Sequence, residues 1–257
     1  MARTTSRESS PYFSPAPPRV LAHRGLAIGA TENTLLAFLK AMAVGVTHIE
    51  TDVHASKDGT AVISHDADLT RLTGLKAKVG ELTLAELREI DLGAGQSFCS
   101  LAEALDGFPD ARFNIDIKAD GAVAATVDAI TDAGAIPRVL VTSFSERRRA
   151  VAVRSLPGVA TSASARIFLP ALVAGKTGAT GLLRASLHKV DAVQVPERAL
   201  RMKVTTERML RQFHSAGVEV HVWTVNDPAD MRRLLDLGVD GIVTDRSDLA
   251  MQLLENR

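Results

Sequence analysis

A TIM-type (β/α)8 barrel of the α/β class, with a small insertion after its second strand, is the fold this sequence predicts. Three observations predict it. Short β-branched runs alternate with helical patterns along almost the whole chain, as parallel βα units require. The 257 residues match the usual size of such a barrel. Hydrophobic residues make up 46% of the chain but aromatics only 4%, and an aliphatic store of this kind suits a barrel interior and its helix layer.

Residues 1–17 read as a flexible polar arm. MARTTSRESS carries positive charge with no apolar stretch behind it, and Pro15, Pro17 and Pro18 lead straight into the first strand. Residues 18–257 read as one barrel domain. Its eight strands are expected over 19–22, 47–53, 112–117, 138–142, 158–162, 190–195, 218–225 and 240–244. Between them, Asn33 or Thr34 opens a helix that stops at Gly45. Thr83-Leu84-Ala85-Glu86 reads as a capping box. Helical runs over 121–133 and 205–216 end at Gly134 and Gly217, and Asp227-Pro228 opens another that ends at Gly238. The pattern over 166–189 mixes Gly, Thr and Lys with apolar residues and defines no element by itself. Residues 53–111 hold a hairpin over 53–64, turned by Lys57-Asp58-Gly59-Thr60, and then a small insertion with a helix near 101–105, because residues 66–111 are too long for one plain βα loop. The hairpin carries His65 back over the barrel mouth.

Thirty basic and thirty acidic residues cancel, so no general field draws the chain to nucleic acid or to an anionic membrane; phosphate recognition must be local. Cys99 is the sole cysteine, which rules out an internal disulfide and reads as a small buried hydrophobe. The apolar run 167–173 is far too short to span a bilayer. A cytoplasmic protein with no stable membrane insertion is expected. The oligomeric state is left open.

Strand phase gathers a candidate site. Glu50 and Asp52 are two apart and share a face, as do Asn114, Asp116 and Lys118. In a barrel that face is inward, near the C-terminal strand ends where such sites are built. Carboxylates converging there call for one divalent cation, and oxygen donors favour Mg²⁺ or Ca²⁺ over Zn²⁺. The competing account is a structural ion network pairing Glu50 and Asp52 with Lys118 and Arg24. His23 ends the first strand and His65 follows the hairpin; both can move protons near neutral pH. Arg24 offers a planar fork to phosphate oxygens, and Gly25 allows a sharp turn. Gln194 and Trp223 face inward near strand ends, the first suited to a substrate hydroxyl and the second, from its position alone, to simple packing. His48 and His221 read as interior residues, His54 as a solvated hairpin position, His188 and His214 as structural. Arg147-Arg148-Arg149 reads as a solvated helix face.

The ordered series His23-Arg24-Gly25, Thr31-Glu32-Asn33-Thr34, Glu50-Thr51-Asp52, Lys57-Asp58-Gly59, His65-Asp66 and Leu69-Thr70-Arg71 resembles the glycerophosphodiester phosphodiesterase family. Asp116-Ile117-Lys118 stands where that family has Glu-x-Lys, and Thr31 where it usually has Pro. Val222-Trp223-Thr224-Val225-Asn226 and Gly241-Ile242-Val243-Thr244-Asp245 look like its last two strands. The resemblance covers roughly residues 19–255. It implies a barrel of the phosphatidylinositol-phospholipase-C-like phosphodiesterase type. It also implies metal-dependent hydrolysis of small-molecule glycerophosphodiesters to sn-glycerol 3-phosphate and an alcohol. Glu50, Asp52 and Asp116 would hold the metal, and Arg24, Lys118, Gln194 and Trp223 the substrate. By analogy with related barrel phospholipases, His23 is the base and His65 the acid. Two other readings are a lysophospholipase D or sphingomyelinase-D-like activity on the same scaffold, which needs a wider apolar rim, and a catalytically silent glycerol-phosphate-binding barrel.

Overall fold

A computed structural model describes residues 10–256. Its strands are β1 (Arg19–His23), β2 (His48–Ala55), β3 (Ala61–Ile63), β4 (Arg112–Ile117), β5 (Val139–Thr142), β6 (Ala160–Thr161), β7 (Ala192–Val195), β8 (Arg198–Ala199), β9 (Met202–Lys203), β10 (Glu219–Val222) and β11 (Gly241–Thr244). Eight of them run parallel in the order β6-β5-β4-β2-β1-β11-β10-β7. A parallel bridge between Ser162 and Ala192, with Ala163 N–H donating to the Ala192 carbonyl, brings β6 back to β7 and nearly closes the barrel. All eight expected barrel strands are present, several trimmed by a residue or more at their ends.

The helices are α1 (Leu35–Ala43), α2 (Thr70–Thr73), α3 (Leu84–Arg88), α4 (Leu101–Gly107), α5 (Ala122–Asp132), α6 (Glu146–Ser155), α7 (Ala165–Thr177), α8 (Thr180–Leu187), α9 (Glu207–Ser215), α10 (Pro228–Leu237) and α11 (Ser247–Glu255). Side-chain caps start them where the sequence offers them. Thr34 accepts from the Ala37 amide, and Thr83 and Glu86 form a reciprocal capping box. Asp227 caps α10 beside Pro228, and Gly238, at φ 96°, ends it in the left-handed region that an L side chain resists. The ambiguous stretch after residue 165 resolves into α7 and α8. Two aliphatic layers form between strands and helices. One includes Val20, Val193, Leu210 and Ile242, the other Ile49, Ile115, Val141 and Phe113.

The β2–β3 hairpin pairs Val53 with Ile63 and Ala55 with Ala61. Behind it the insertion packs a small satellite core of Val62, Leu69, Val79, Leu87, Leu92 and Phe98. Among the described residues no helix is long and apolar enough to cross a membrane.

The expected arm over 1–17 needs correction. Residues 1–9 lie outside the described residues, but Pro11–Phe13 form a 3-10 turn that seals the barrel base. Tyr12 is fully buried, and with Phe13 it packs on Leu140, Ala160 and Ala192. The Arg19 guanidinium donates to the Phe13 carbonyl at 2.6 Å, and His48 Nε2 bonds the Tyr12 carbonyl at 2.8 Å. Aromatic area buried against the strand floor outweighs the polar character of the flanking residues. His48 is an interior residue as expected, and its burial holds the imidazole down at about 3.

Two further expectations fail. His54 is buried, because its ring lies beneath the returning chain with Nε2 3.2 Å from the His65 carbonyl. Arg149 is also buried, since Glu146 grips it through two nitrogens and it reaches Thr161. Cys99 is buried, and burial pushes its thiol up to about 12.

Candidate active site

Parallel register decides which side chains meet at the mouth. His23 on β1 stands opposite Glu50 on β2, Glu50 opposite Asn114 on β4, and Asp52 opposite Asp116. His23 ends β1, and Asp52 and Asp116 lie in the C-terminal halves of β2 and β4. Directly after β1 the chain turns on Arg24 and Gly25, at φ 59° and 85°. A Cβ on Gly25 would lie 2.7 Å from the Ala37 carbonyl carbon, so only glycine lets α1 approach this closely.

These groups line one cavity of about 410 Å³. His23, Arg24, Glu50, Asp52, His65, Asn114, Asp116 and Lys118 make one wall; Phe144, Phe168, Leu169, Pro196 and Trp223 make the other. Every expected site residue therefore faces the same space. Trp223 meets Phe144 edge-on at 6.2 Å across the mouth.

The charged wall is a connected network. Lys118 Nζ lies 2.8 Å from Asp52 Oδ1 and 2.7 Å from Asp116 Oδ2. Burial alone would lower its pKa, but the two carboxylates hold it raised. Arg24 Nε lies 3.2 Å from Asp52 Oδ2, and its Nη1 donates to Glu32 at 2.9 Å. Asn33 Nδ2 donates to Asp52 Oδ2 at 3.1 Å. Burial of Asp52 is thus outweighed, and its carboxyl is held below the ordinary range by Lys118 and Arg24. Glu50 receives less. It accepts from the Arg24 amide at 3.2 Å and sits 4.0 Å from His23 Nε2. Burial, with the Asp52 charge beside it, pushes its carboxyl up to about 8. Burial likewise raises Asp116.

The ion-network account is therefore realised for Asp52, Asp116, Lys118 and Arg24. Among the described residues no three His, Cys, Asp or Glu side chains form a ready-made cation cage. Two buried acceptors in this wall nevertheless lack any partner, Asp116 Oδ1 and Asn114 Oδ1. Such orphans are costly, and with the underserved Glu50 they are oxygen donors of the kind a hard divalent cation takes. The residues present fit such an ion.

The two candidate proton carriers are each fixed through Nδ1. His23 Nδ1 bonds Asp245 Oδ1 at 2.6 Å, and Asp245 in turn accepts from Asn226 at 2.7 Å. Burial tends to lower His23, but the Asp245 hydrogen bond and the Glu50 field leave its pKa raised. His65 Nδ1 bonds Asp66 Oδ1 at 2.7 Å. Asp66 is clasped by Arg71, and Arg71 donates to Glu32 at 2.6 Å, which returns the chain to Arg24. Gln194 is already engaged, accepting from Ser162 at 3.2 Å and lying 3.4 Å from His221 Nδ1.

Asp245, Glu32 and Phe144 were not legible in the sequence as site residues, and Asn33 was legible only as a helix opener. The signal for Asp245 lies in strand pairing: β11 pairs with β1 and sets Thr244 beside Ala22, so the next residue reaches His23. Phe144 sits in a loop with no periodicity, so nothing in the sequence marked it.

The family model described as "Glycerophosphoryl diester phosphodiesterase family" matches residues 23–249. "Probable glycerophosphodiester phosphodiesterase 2" of Mycobacterium tuberculosis is 44% identical over 236 residues, spanning 91% of this chain and 89% of that one. A glycerophosphodiester phosphodiesterase structure from Thermotoga maritima superposes with a TM-score of 0.73 at 30% identity, covering 91% and 97% of the two chains. An Oleispira antarctica phosphodiesterase, solved with the product sn-glycerol-3-phosphate, gives 0.76 at 23% identity over 93% and 97%, a likeness of fold.

Proposed function

This chain belongs to the glycerophosphoryl diester phosphodiesterase family, and from that premise we propose that it hydrolyses glycerophosphodiesters to sn-glycerol 3-phosphate and an alcohol with two histidines and one divalent cation. The observation that carries the reading is the pair of imidazoles, His23 and His65, lining one cavity with Arg24 and Lys118. Both histidines beside the Glu50 and Asp52 carboxylates, which a pure binding barrel does not need, speak against the silent reading.

Glu50, Asp52 and Asp116 would hold the cation, Mg²⁺ or Ca²⁺. When bound, it supplies Lewis-acid polarisation of the phosphoryl group. Arg24 and Lys118 place positive charge where phosphate oxygens gain negative charge. His23, with Nδ1 tied to Asp245, presents Nε2 to the cavity and takes the proton of the attacking hydroxyl. His65, steadied by Asp66, gives a proton to the leaving alkoxide. A glycerol hydroxyl as attacker forms a new P–O bond as the bond to the alcohol breaks, leaving a cyclic phosphate. Water then opens the ring with the roles reversed, which restores both histidines to their starting protonation. His23 must be neutral to act first, so its raised pKa places the onset of activity above the ordinary imidazole range.

Release of glycerol 3-phosphate, followed by a coupled assay, tests the proposal. A chelator should abolish turnover, and Mg²⁺ or Ca²⁺ should restore it. Full activity after exhaustive chelation would remove the cation from the scheme.

One observation favours a second substrate. Three of the chain's few aromatics, Phe144, Phe168 and Trp223, crowd the wall opposite the histidines, with Leu169 beside them. That wall suits an apolar substituent on the alcohol, as in a lysophospholipid. Comparing glycerophosphocholine with lysophosphatidylcholine by kcat/KM separates the two readings.

A further inference from the structure

The exposed apolar side chains are unevenly spread. Among the described residues nine large hydrophobics are exposed, and four of them, Leu169, Val173, Leu182 and Leu200, fall between residues 165 and 203. Phe144, a fifth, stands on the lip of the same cavity as Leu169. Scattered singly such residues need no explanation, but a concentration along one segment, whose Phe168, Leu169 and Ala199 line a cavity, does.

Charge is equally uneven there. The whole chain balances thirty acids against thirty bases, yet residues 162–190 contain no Asp or Glu while holding Arg166, Lys176, Arg184 and Lys189. The β8–β9 hairpin that follows adds Arg198, Arg201 and Lys203. Its Arg198 stands directly opposite Lys203, a like-charge pair that costs the hairpin stability. The nearby acid, Glu197, is taken by Arg233 at 2.8 Å and by Thr205 at 3.1 Å. Lys176 Nζ donates to the Lys203 carbonyl at 2.5 Å, which ties α7 to the hairpin as one surface.

The tip of that hairpin is odd by itself. Leu200 and Arg201 occupy its two turn positions at φ 49° and 61°, where Asn-Gly is ordinarily preferred. Leu200 is 62% exposed, so burial returns little for the unfavourable backbone. Its neighbour Ala199 lines the cavity, which sets the tip on the rim.

We propose that the rim formed by α7 and the β8–β9 hairpin docks this protein on anionic lipid surfaces, with Leu200 and Val173 entering the interface and the hairpin cations meeting acidic headgroups. An apolar tip ringed by Lys and Arg is the chemistry of peripheral membrane attachment. It requires no membrane-crossing helix. The proposal rests on this surface alone and does not need the phosphodiesterase reading. Docking in this way would turn the apolar wall of the cavity toward the bilayer.

Sedimentation with sucrose-loaded vesicles tests it directly. The intact chain should pellet with phosphatidylcholine vesicles containing an equal part of phosphatidylglycerol and stay in solution with phosphatidylcholine alone. About 0.5 M salt should release it, because screening at that strength shortens electrostatic reach to a few ångströms. Replacing Arg198 or Arg201 by Gln should weaken partitioning roughly fivefold each, and Leu200→Asp with Val173→Asp should abolish it. Both apolar positions are solvent-facing, and circular dichroism will show that the variants fold. Failure of the intact chain to pellet with the anionic vesicles would overturn the proposal. So would equal pelleting by the double variant, or a dimer in gel filtration that the double variant dissolves while vesicle binding is absent.

Discussion

At the base of the barrel Arg19, Glu219 and His221 form one cluster; at the mouth Arg24, Glu50 and His23 form another from the same three residue types. The base cluster is closed. Arg19 donates to both Glu219 oxygens at 2.9 Å, His221 Nε2 bonds Glu219 at 3.0 Å, and Tyr12 and Phe13 cap the set from below. Its charges are fully satisfied: burial would raise Glu219, but Arg19 and His221 hold its carboxyl down at about 2. The mouth cluster is open. The ion pair of Glu50 with His23 is long, at 4.0 Å, and burial pushes the Glu50 carboxyl up to about 8; among the described residues Asp116 Oδ1 and Asn114 Oδ1 are unpartnered. Residue type therefore does not mark the candidate site. Unspent hydrogen-bonding capacity facing a cavity does.

The sharpest way to break this contrast is to exchange damage between the ends. His23→Ala or His65→Ala should cost roughly 10²–10⁴ in kcat while leaving the melting temperature within a degree or two of the parent's, by order of magnitude. Loss of folding instead of turnover would make the mouth structural. Arg19→Met should do the reverse. It strands the Glu219 charge in the base and should cost about 3–5 kcal/mol in denaturant unfolding, with kcat per folded molecule unchanged. If that variant melts like the parent, the base network contributes no stability.

Acid sharpens the comparison further. Glu219 has a folded pKa depressed below the ordinary glutamate value of 4.5, so its contribution is present above that value and fades as pH falls toward about 2. Unfolding free energy should fall by a few kcal/mol across that window, and Glu219→Gln should flatten the slope. An unchanged slope would show that other carboxylates govern acid unfolding. The smallest effect concerns His23. Asp245→Asn keeps an oxygen acceptor for Nδ1–H but removes the charge, so the acidic limb of kcat/KM should move to lower pH by up to roughly one unit. A limb that stays put would assign it to another group.

Much of the mouth was readable because it is local in sequence. Strand phase alone put Glu50 with Asp52 and Asp116 with Lys118, and the hairpin turn at Asp58-Gly59 delivered His65. The base was readable only in part: strand phase put His48 and His221 in the interior, but the Arg19–Glu219 pair was hidden, because the two are two hundred residues apart and nothing in either neighbourhood announces the other. Tyr12 was missed for a related reason. A single aromatic between prolines has no periodicity, and its burial is decided by a floor that three distant strands build. Lys118 was placed correctly on its face, but its position between Asp52 and Asp116 depends on side-chain reach, which spacing does not encode. Arg149 looked solvated because its neighbours Arg147 and Arg148 share its charge, while its burial depends on contacts with Glu146 and with Thr161 on β6.

The Tyr12 seal has a consequence for how the molecule assembles. The aromatic is made well before Leu140, Ala160 and Ala192, on which it comes to rest and which follow it by 128 to 180 residues. It must wait, exposed, until those strands are in register. Shortening the polypeptide to begin at Arg19 would thus uncork the finished molecule from underneath, and a rigid fusion partner joined close to Pro11 would hinder the last stopper from being pushed home.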